Sequence, residues 1–191
     1  MRIIAGQFKG RRLLGPHGRQ TRPITDRVKA SLFGILARDV PEAVVVDLFC
    51  GTGSIGLEAL SRGARLCCFA ERDRAALARL RRNVRAMGLE RRCRIWGGDL
   101  LRVLPRRLEE LSQPIDLAFV DPPYEMVRQW RWEAAEGRIF APLAGKLAGD
   151  GRVVLRCPRN IPVPEELGQL SVRERRDYGK MSLVFFEPQE H

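Results

Sequence analysis

Four acidic residues of this chain, Asp47, Glu71, Asp99 and Asp121, each stand at or beside the end of a short apolar run. The runs cover residues 44–49, 66–70, 94–96 and 115–120, and they do not alternate between apolar and polar side chains. Strands of that kind are buried on both faces, as in a parallel sheet covered by helices. Helical stretches fill the intervals: one from Ile55 to Leu60, one from Asp73 to about Met87 with Gly88 as C-cap, and an amphipathic one over 100–111. Strand and helix alternating at this spacing predict an α/β fold with a parallel, doubly wound sheet and right-handed crossovers. A further helical stretch is predicted around 130–147, a fifth strand over 151–157, and a closing antiparallel pair over 172–178 and 181–187 turned at Gly179. Ligands of such sheets bind outside the carboxyl ends of the strands, so the four acids mark one edge as the functional one.

Ahead of this pattern, residues 2–14 read as one or two short strands around Gly6 and Gly10. Thr25 is placed to cap a helix over about 26–37 with Val28, Leu32, Ile35 and Leu36 on its apolar face. The division predicted is a basic extension, residues 1–24, followed by one catalytic domain, residues 25–191. The extension is distinguished by charge. Between Met1 and Ala30, which takes in the extension and the start of the next helix, stand Arg2, Lys9, Arg11, Arg12, Arg19, Arg22, Arg27 and Lys29 against the single acid Asp26. The whole chain carries a formal net charge of +11, but a local imbalance is harder to attribute to composition than a global one. A surface of this sign favours a polyanionic partner such as nucleic acid, because each neutralised phosphate releases a condensed counterion.

Five cysteines, Cys50, Cys67, Cys68, Cys93 and Cys157, form no C-x-x-C pair and no metal-like spacing with His17 or His191. An odd number without a framework fits free thiols in a reducing compartment, and no metal is assigned. With no apolar run long enough to span a bilayer and no signal-peptide core, the expectation is a soluble, cytoplasmic monomer.

The turn after the first strand reads Asp47-Leu48-Phe49-Cys50-Gly51-Thr52-Gly53-Ser54-Ile55-Gly56. It contains G-x-G-x-x-G, which in a dehydrogenase cradles a pyrophosphate at a helix N-terminus. Asp47 argues against that ligand. A carboxylate beside a phosphate dianion is unfavourable, whereas beside an ammonium it is favourable. S-adenosylmethionine carries an amino group, a sulfonium and no phosphate, and suits the turn. Glu71 is placed to accept hydrogen bonds from ribose hydroxyls. Asp99 is placed to receive an adenine amino group or to cap the helix beginning at Leu100, and both roles can hold.

Asp121-Pro122-Pro123-Tyr124 leaves the fourth strand, in this reading across the sheet from the glycine turn. An exocyclic amino group of a base is a poor nucleophile, because its lone pair is delocalised into the ring. Two acceptors, the Asp121 carboxylate and the Pro122 carbonyl, can hold its N–H groups and favour a pyramidal nitrogen. Consecutive prolines stiffen the loop and preorganise the attack. Tyr124 can stack on the base, which must leave its helix to be reached.

These segments resemble one family. DLFCGTGSIGLEALSRGA, FAERD, GGDL and VDPPYE are similar to the class I methyltransferase motifs of the RsmD family, which methylates guanine N2 in small-subunit ribosomal RNA. RIIAGQFKGRRL, RPITDRVKASLF and the C-terminal YGK are also similar to that family, so the resemblance runs across nearly the whole chain. It implies a Rossmann-like, seven-stranded, mostly parallel sheet with an antiparallel C-terminal strand and a small N-terminal β extension. It implies S-adenosylmethionine as donor and 16S rRNA, in the small subunit or its assembly intermediate, as partner. Asp47, Phe49, Cys50, Gly51, Thr52, Gly53 and Ser54 would hold the methionine part, Glu71 the ribose, Asp99 and Leu100 the adenine. Asp121, Pro122, Pro123 and Tyr124 would hold the target base. Arg22, Thr25 and Arg27 would lie near the active site, with Arg2, Lys9, Arg11, Arg12, Lys29 and Lys180 completing the RNA-binding set. Ile24 and Ala30 depart from the family, which has Thr and Glu there. Other readings are a DNA or RNA adenine-N6 methyltransferase, a catalytically silent ribosome-assembly factor, and an NAD-dependent oxidoreductase.

Overall fold

The computed structural model describes residues 1–15 and 24–189. Among them one sheet runs in the order β3-β2-β1-β4-β5-β8-β7-β6. Strands β1 (Val44–Leu48), β2 (Leu66–Glu71), β3 (Cys93–Gly97), β4 (Ile115–Val120) and β5 (Leu147–Pro158) pair in parallel. Strands β7 (Leu170–Tyr178) and β8 (Met181–Pro188) close it, β8 lying antiparallel to both β5 and β7. The eighth strand, β6 (Glu166–Leu167), is one more than the family pattern implies. It is two residues long, turned back onto β7 at Gly168 (φ +62°), with Leu167 buried. So short a piece has no period to read.

Successive side chains of a strand point to opposite faces, and both faces of this sheet are apolar. Val45, Phe69, Leu117 and Phe119 face one core, with α1 (Asp26–Ile35), α2 (Ser54–Ser61) and α3 (Arg74–Ala86). Val46, Leu48, Ala118 and Val120 face the other, with α4 (Leu100–Glu109) and the short helices α5 (Tyr124–Arg128), α6 (Trp132–Ala135) and α7 (Ala141–Ala144). The helical stretch expected up to residue 147 thus ends at Ala144, and β5 begins earlier than expected, with a register shift against Ile115 and Leu117. No helix among the described residues is long and apolar enough to cross a membrane.

The start of the chain does not form the one or two strands expected. Only an isolated Arg2–Arg12 bridge is present, because the chain doubles back through left-handed Gly6 (φ +82°) and Gly10 (φ +83°). At Gly6 a Cβ would meet the Ser61 carbonyl oxygen at 1.9 Å, so the segment lies directly on the end of α2. Its backbone is fastened there. Ile4 N–H and Ala5 N–H donate to the Glu58 carboxylate (2.7 and 3.0 Å), and Phe8 N–H donates to Ser61 Oγ (3.0 Å). Ile3 and Leu13 enter the same core as Phe33 and Phe119.

Lys29 corrects the list of RNA-binding candidates. It is fully buried, 3.4 Å from Glu58, and its ammonium donates to the Arg2 carbonyl (2.7 Å) and to Ser54 Oγ (3.1 Å). Burial is the first influence on it and lowers its pKa, with Glu58 opposing. On α1 this lysine points inward and shares the buried Glu58 carboxylate with Arg62 (2.8 Å) on α2's C-terminal side.

Candidate functional site

The strand order reverses between β1 and β4, where Asp47, Glu71 and Asp121 lie close enough to interact electrostatically, while Asp99 stands apart at the end of β3. Leu48 pairs with Val120, and Asp121 N–H donates to the Leu48 carbonyl (3.2 Å). The Asp-Pro-Pro-Tyr loop therefore leaves the strand next to β1. It is adjacent to the glycine turn, where the sequence reading had it across the sheet; strand order is a long-range property that spacing does not encode.

Asp47 is 1% exposed. Gly56 N–H donates to its Oδ2 (2.9 Å), while Oδ1 is the one buried side-chain polar atom among the described residues with no partner. Burial pushes this carboxyl up to about 8, the Gly56 N–H opposes the rise, and the nearby Asp121 and Glu71 add to it. An orphaned buried carboxyl oxygen calls for a hydrogen-bonding partner, and a cationic one would draw the group into its ionised form. The turn beyond it is built for close approach. Phe49 (φ +59°), Gly51 (φ +56°) and Gly53 (φ +86°) all take left-handed backbone, and a non-glycine there is strained. A Cβ at Gly56 would lie 2.4 Å from the Phe69 ring and 2.6 Å from Cys67 Sγ, so this glycine lets α2 pack on β2.

Glu71 accepts from Gly51 N–H (2.9 Å) through one oxygen and from Arg72 and Asp73 N–H (2.8 Å each) through the other. It holds the two strand-end turns together. Asp99 caps α4, accepting from Leu101 N–H (3.1 Å) and facing Arg102 (3.5 Å), with half of its side chain exposed. Leu100 is buried in the same hydrophobic cluster as Trp96. Thr52 and Ser54 are buried; the Thr52 carbonyl accepts from Asn83 and Ser54 Oγ from Lys29. Cys50 lies within the turn, and burial pushes its thiol well above the ordinary range, so it is no thiolate nucleophile. Among the described residues no group of three or more His, Cys, Asp or Glu could hold a metal ion.

On the other side of Asp121 lies a cleft of about 470 Å³ lined by Thr25, Arg27, Tyr124, Arg156 and Lys180, among others. Thr25 caps α1 as expected, its Oγ1 accepting from Val28 N–H (3.4 Å). The cleft thus draws together the start of α1, the acceptor loop and the β7–β8 turn. Tyr178 OH and Ser31 Oγ, 2.6 Å apart, join that hairpin to α1. Arg2, Lys9, Arg11 and Arg12 are exposed; Arg2 pairs with Asp26 (2.8 Å), and Arg11 donates to the Ala86 carbonyl at the end of α3. Arg22 lies outside the described residues.

Sequence reasoning missed Arg156. Its Nε–H donates to Asp121 Oδ1 (2.5 Å), and its guanidinium carbon sits 5.5 Å from the centre of the Tyr124 ring. The signal was present: an arginine inside the apolar run Val153-Val154-Leu155-Arg156-Cys157, in a strand buried on both faces, requires an acidic partner.

A family model described as "Conserved hypothetical protein 95" matches residues 1–187. Over 192 residues the chain is 31% identical to the "Putative rRNA methyltransferase YlbH" of Bacillus subtilis, covering 98% of both chains. Over 124 residues it is 37% identical to the "Ribosomal RNA small subunit methyltransferase D" of Escherichia coli K12, an alignment spanning 65% of this chain and 60% of that protein. The solved structure of "Putative methyltransferase yhhF" from Escherichia coli superposes with a TM-score of 0.82 at 29% identity, over 100% of this chain and 99% of that one. The fold is that of a class I methyltransferase.

Proposed function

Because the chain belongs to the conserved hypothetical protein 95 family, the RsmD family of methyltransferases, we propose that it methylates the exocyclic N2 of a guanine in 16S rRNA, with S-adenosylmethionine as donor. The observation that carries the reading is the junction of two unlike halves at one strand crossover. Asp47 offers an unpartnered buried oxygen on one side, and Asp121-Pro122-Pro123-Tyr124 opens into a basic cleft on the other.

The residues fit the donor. Asp47 Oδ1 suits its ammonium, the left-handed turn at Gly51 and Gly53 leaves room for its backbone-like end, and Glu71 suits its ribose. When bound, the donor supplies a methyl group on a sulfonium, a good leaving group that needs no nucleophilic side chain. The protein's own residues handle the acceptor. Asp121 accepts an N–H of the amino group and turns its lone pair toward the methyl. Pro122 and Pro123 keep the loop stiff, and Pro123 caps α5, its carbonyl accepting from Met126 N–H (2.9 Å). Tyr124 stacks on the flipped base, worth about 1–3 kcal/mol. Arg27 and Lys180 face the RNA backbone on either side of the cleft.

Guanine N2 rests on the family, since an adenine N6 amino group suits the same loop. The test is incubation of the protein with methyl-labelled S-adenosylmethionine and either 30S particles or duplex DNA, followed by mass spectrometry of the digested product. N2-methylguanosine in 16S rRNA is the expected product. Label in DNA alone, or N6-methyladenosine, would overturn the proposal.

A further inference from the structure

Arg156 belongs neither to the donor turn nor to the acceptor loop, yet it touches both working side chains of that loop. It lies on β5, 9% exposed, against the Asp121 carboxylate and the Tyr124 ring. A guanidinium is a planar, rigid fork. Held in a packed strand, it fixes the rotation of a carboxylate it bonds, and its cation also favours the face of an aromatic ring. From this geometry we infer that Arg156 is a positioning residue for methyl transfer: it orients Asp121 as an anion and holds Tyr124 for the incoming base. The inference rests on the function proposed above.

The charges around Asp121 explain why a positioning cation is required. Burial pushes its carboxyl above the ordinary range, and Arg156 opposes the rise. From β1, Asp47 stands close enough for the two carboxyls to interact electrostatically. The buried Cys50 thiol of the turn stays neutral, and the Tyr124 hydroxyl stands on α5. Among the described residues, Arg27 on α1 and Asp177 and Lys180 at the hairpin turn line the cleft itself, and Arg156 is a cation in direct contact with Asp121. A neutral Asp121 would present a proton donor to an amino group that needs an acceptor.

Arg156→Gln and Arg156→Lys should be compared with the unaltered protein by three measurements: donor affinity by calorimetry, rate against pH on 30S particles at saturating donor, and titration of the Asp121 carboxyl by ¹³C NMR without ligand. Arg156→Gln is expected to keep donor affinity within about twofold, lose about tenfold or more in kcat at pH 7, and move the acid limb of the rate profile up by about one pH unit or more. The Asp121 titration should move the same way. Arg156→Lys keeps the cation and should leave the limb near its original place while still lowering kcat. A uniform loss of rate with the limb and the Asp121 titration unmoved would reduce Arg156 to a packing residue. In the unaltered protein the Arg156 Nε–H resonance must follow the Asp121 titration; independence of the two would overturn the inference even if Arg156→Gln failed to fold. If the unaltered protein bound donor but labelled no RNA, the proposed function would fall, and the carboxyl titration would still decide the role of Arg156.

Discussion

The backbone N–H of Asp121 is bonded to the Leu48 carbonyl, one residue beyond Asp47. The Asp121-Pro122-Pro123-Tyr124 loop is therefore anchored by the strand that carries Asp47. Under the proposed function, a displacement of either strand end would change the distance between donor and acceptor.

Asp121→Ala should abolish methyl transfer, by about 10²-fold or more in kcat, while donor affinity changes little. Rate measurements with labelled donor, paired with calorimetry, check this. Retained turnover would remove Asp121 from the chemistry.

Donor binding should depend on pH through Asp47. Its carboxyl titrates at about 8 in the unliganded protein, so at pH 7 it is mostly protonated, and an ammonium partner requires it ionised. Affinity should rise with pH, by at most about tenfold per unit, and level off above about 8. Calorimetry from pH 6 to 8.5 reads the slope, and Asp47→Asn should flatten it while weakening binding.

The same residue predicts an opposite effect on stability. A carboxyl raised from 3.8 to about 8 by burial favours the folded state least where it is ionised, so stability falls as pH rises through that interval. Asp47→Asn keeps an acceptor for Gly56 N–H and removes the charge. Without ligand it should melt higher than the unaltered protein at pH 8, by a few degrees, and less so at pH 5. Thermal melts at the two pH values decide.

Gly56→Ala should destabilise by about 1–3 kcal/mol, since the new methyl meets Phe69 and Cys67 in a packed core. Denaturant melts of the variant measure it; an unchanged midpoint would mean that α2 shifts freely on β2.

Lys29 and the surface cations should separate cleanly. Arg27→Ala with Lys180→Ala should weaken RNA binding and reduce the salt slope by about 2, with stability near that of the parent. Lys29→Ala should instead lose about 2–4 kcal/mol of stability, because it opens a cavity in the core and leaves buried Glu58 with only Arg62 and the Ile4 and Ala5 N–H groups for its charge. Filter binding across a salt series, with melts of both proteins, tells the two apart.

Much of this was legible in the chain itself. Apart from Asp47 and Asp116, residues 44–48 and 115–120 are apolar without alternation, and such runs admit little but a buried parallel strand, so the acids at their ends could be aligned before any topology was known. Thr25 and Gly88 announced their helix ends by residue type alone. Strand order escaped, because Leu48 and Val120 are 72 positions apart and their pairing leaves no local trace. Lys29 escaped because a lysine inside a basic segment reads as surface, and Glu58, its partner, stands on another helix. Arg156 was visible as a charge out of place, but its partner again came from a distant strand.

The fastening of residues 4 and 5 to Glu58 has a practical corollary. The first few residues look like a tail that could be trimmed to improve crystals or accommodate a tag. Removing them would take two N–H donors from a fully buried anion, leaving it to Lys29 and Arg62, one turn along α2 from Ser54. Under the proposed function, a shortened chain would lose activity through the turn assigned to the donor, and the loss would be mistaken for weakened grip on RNA.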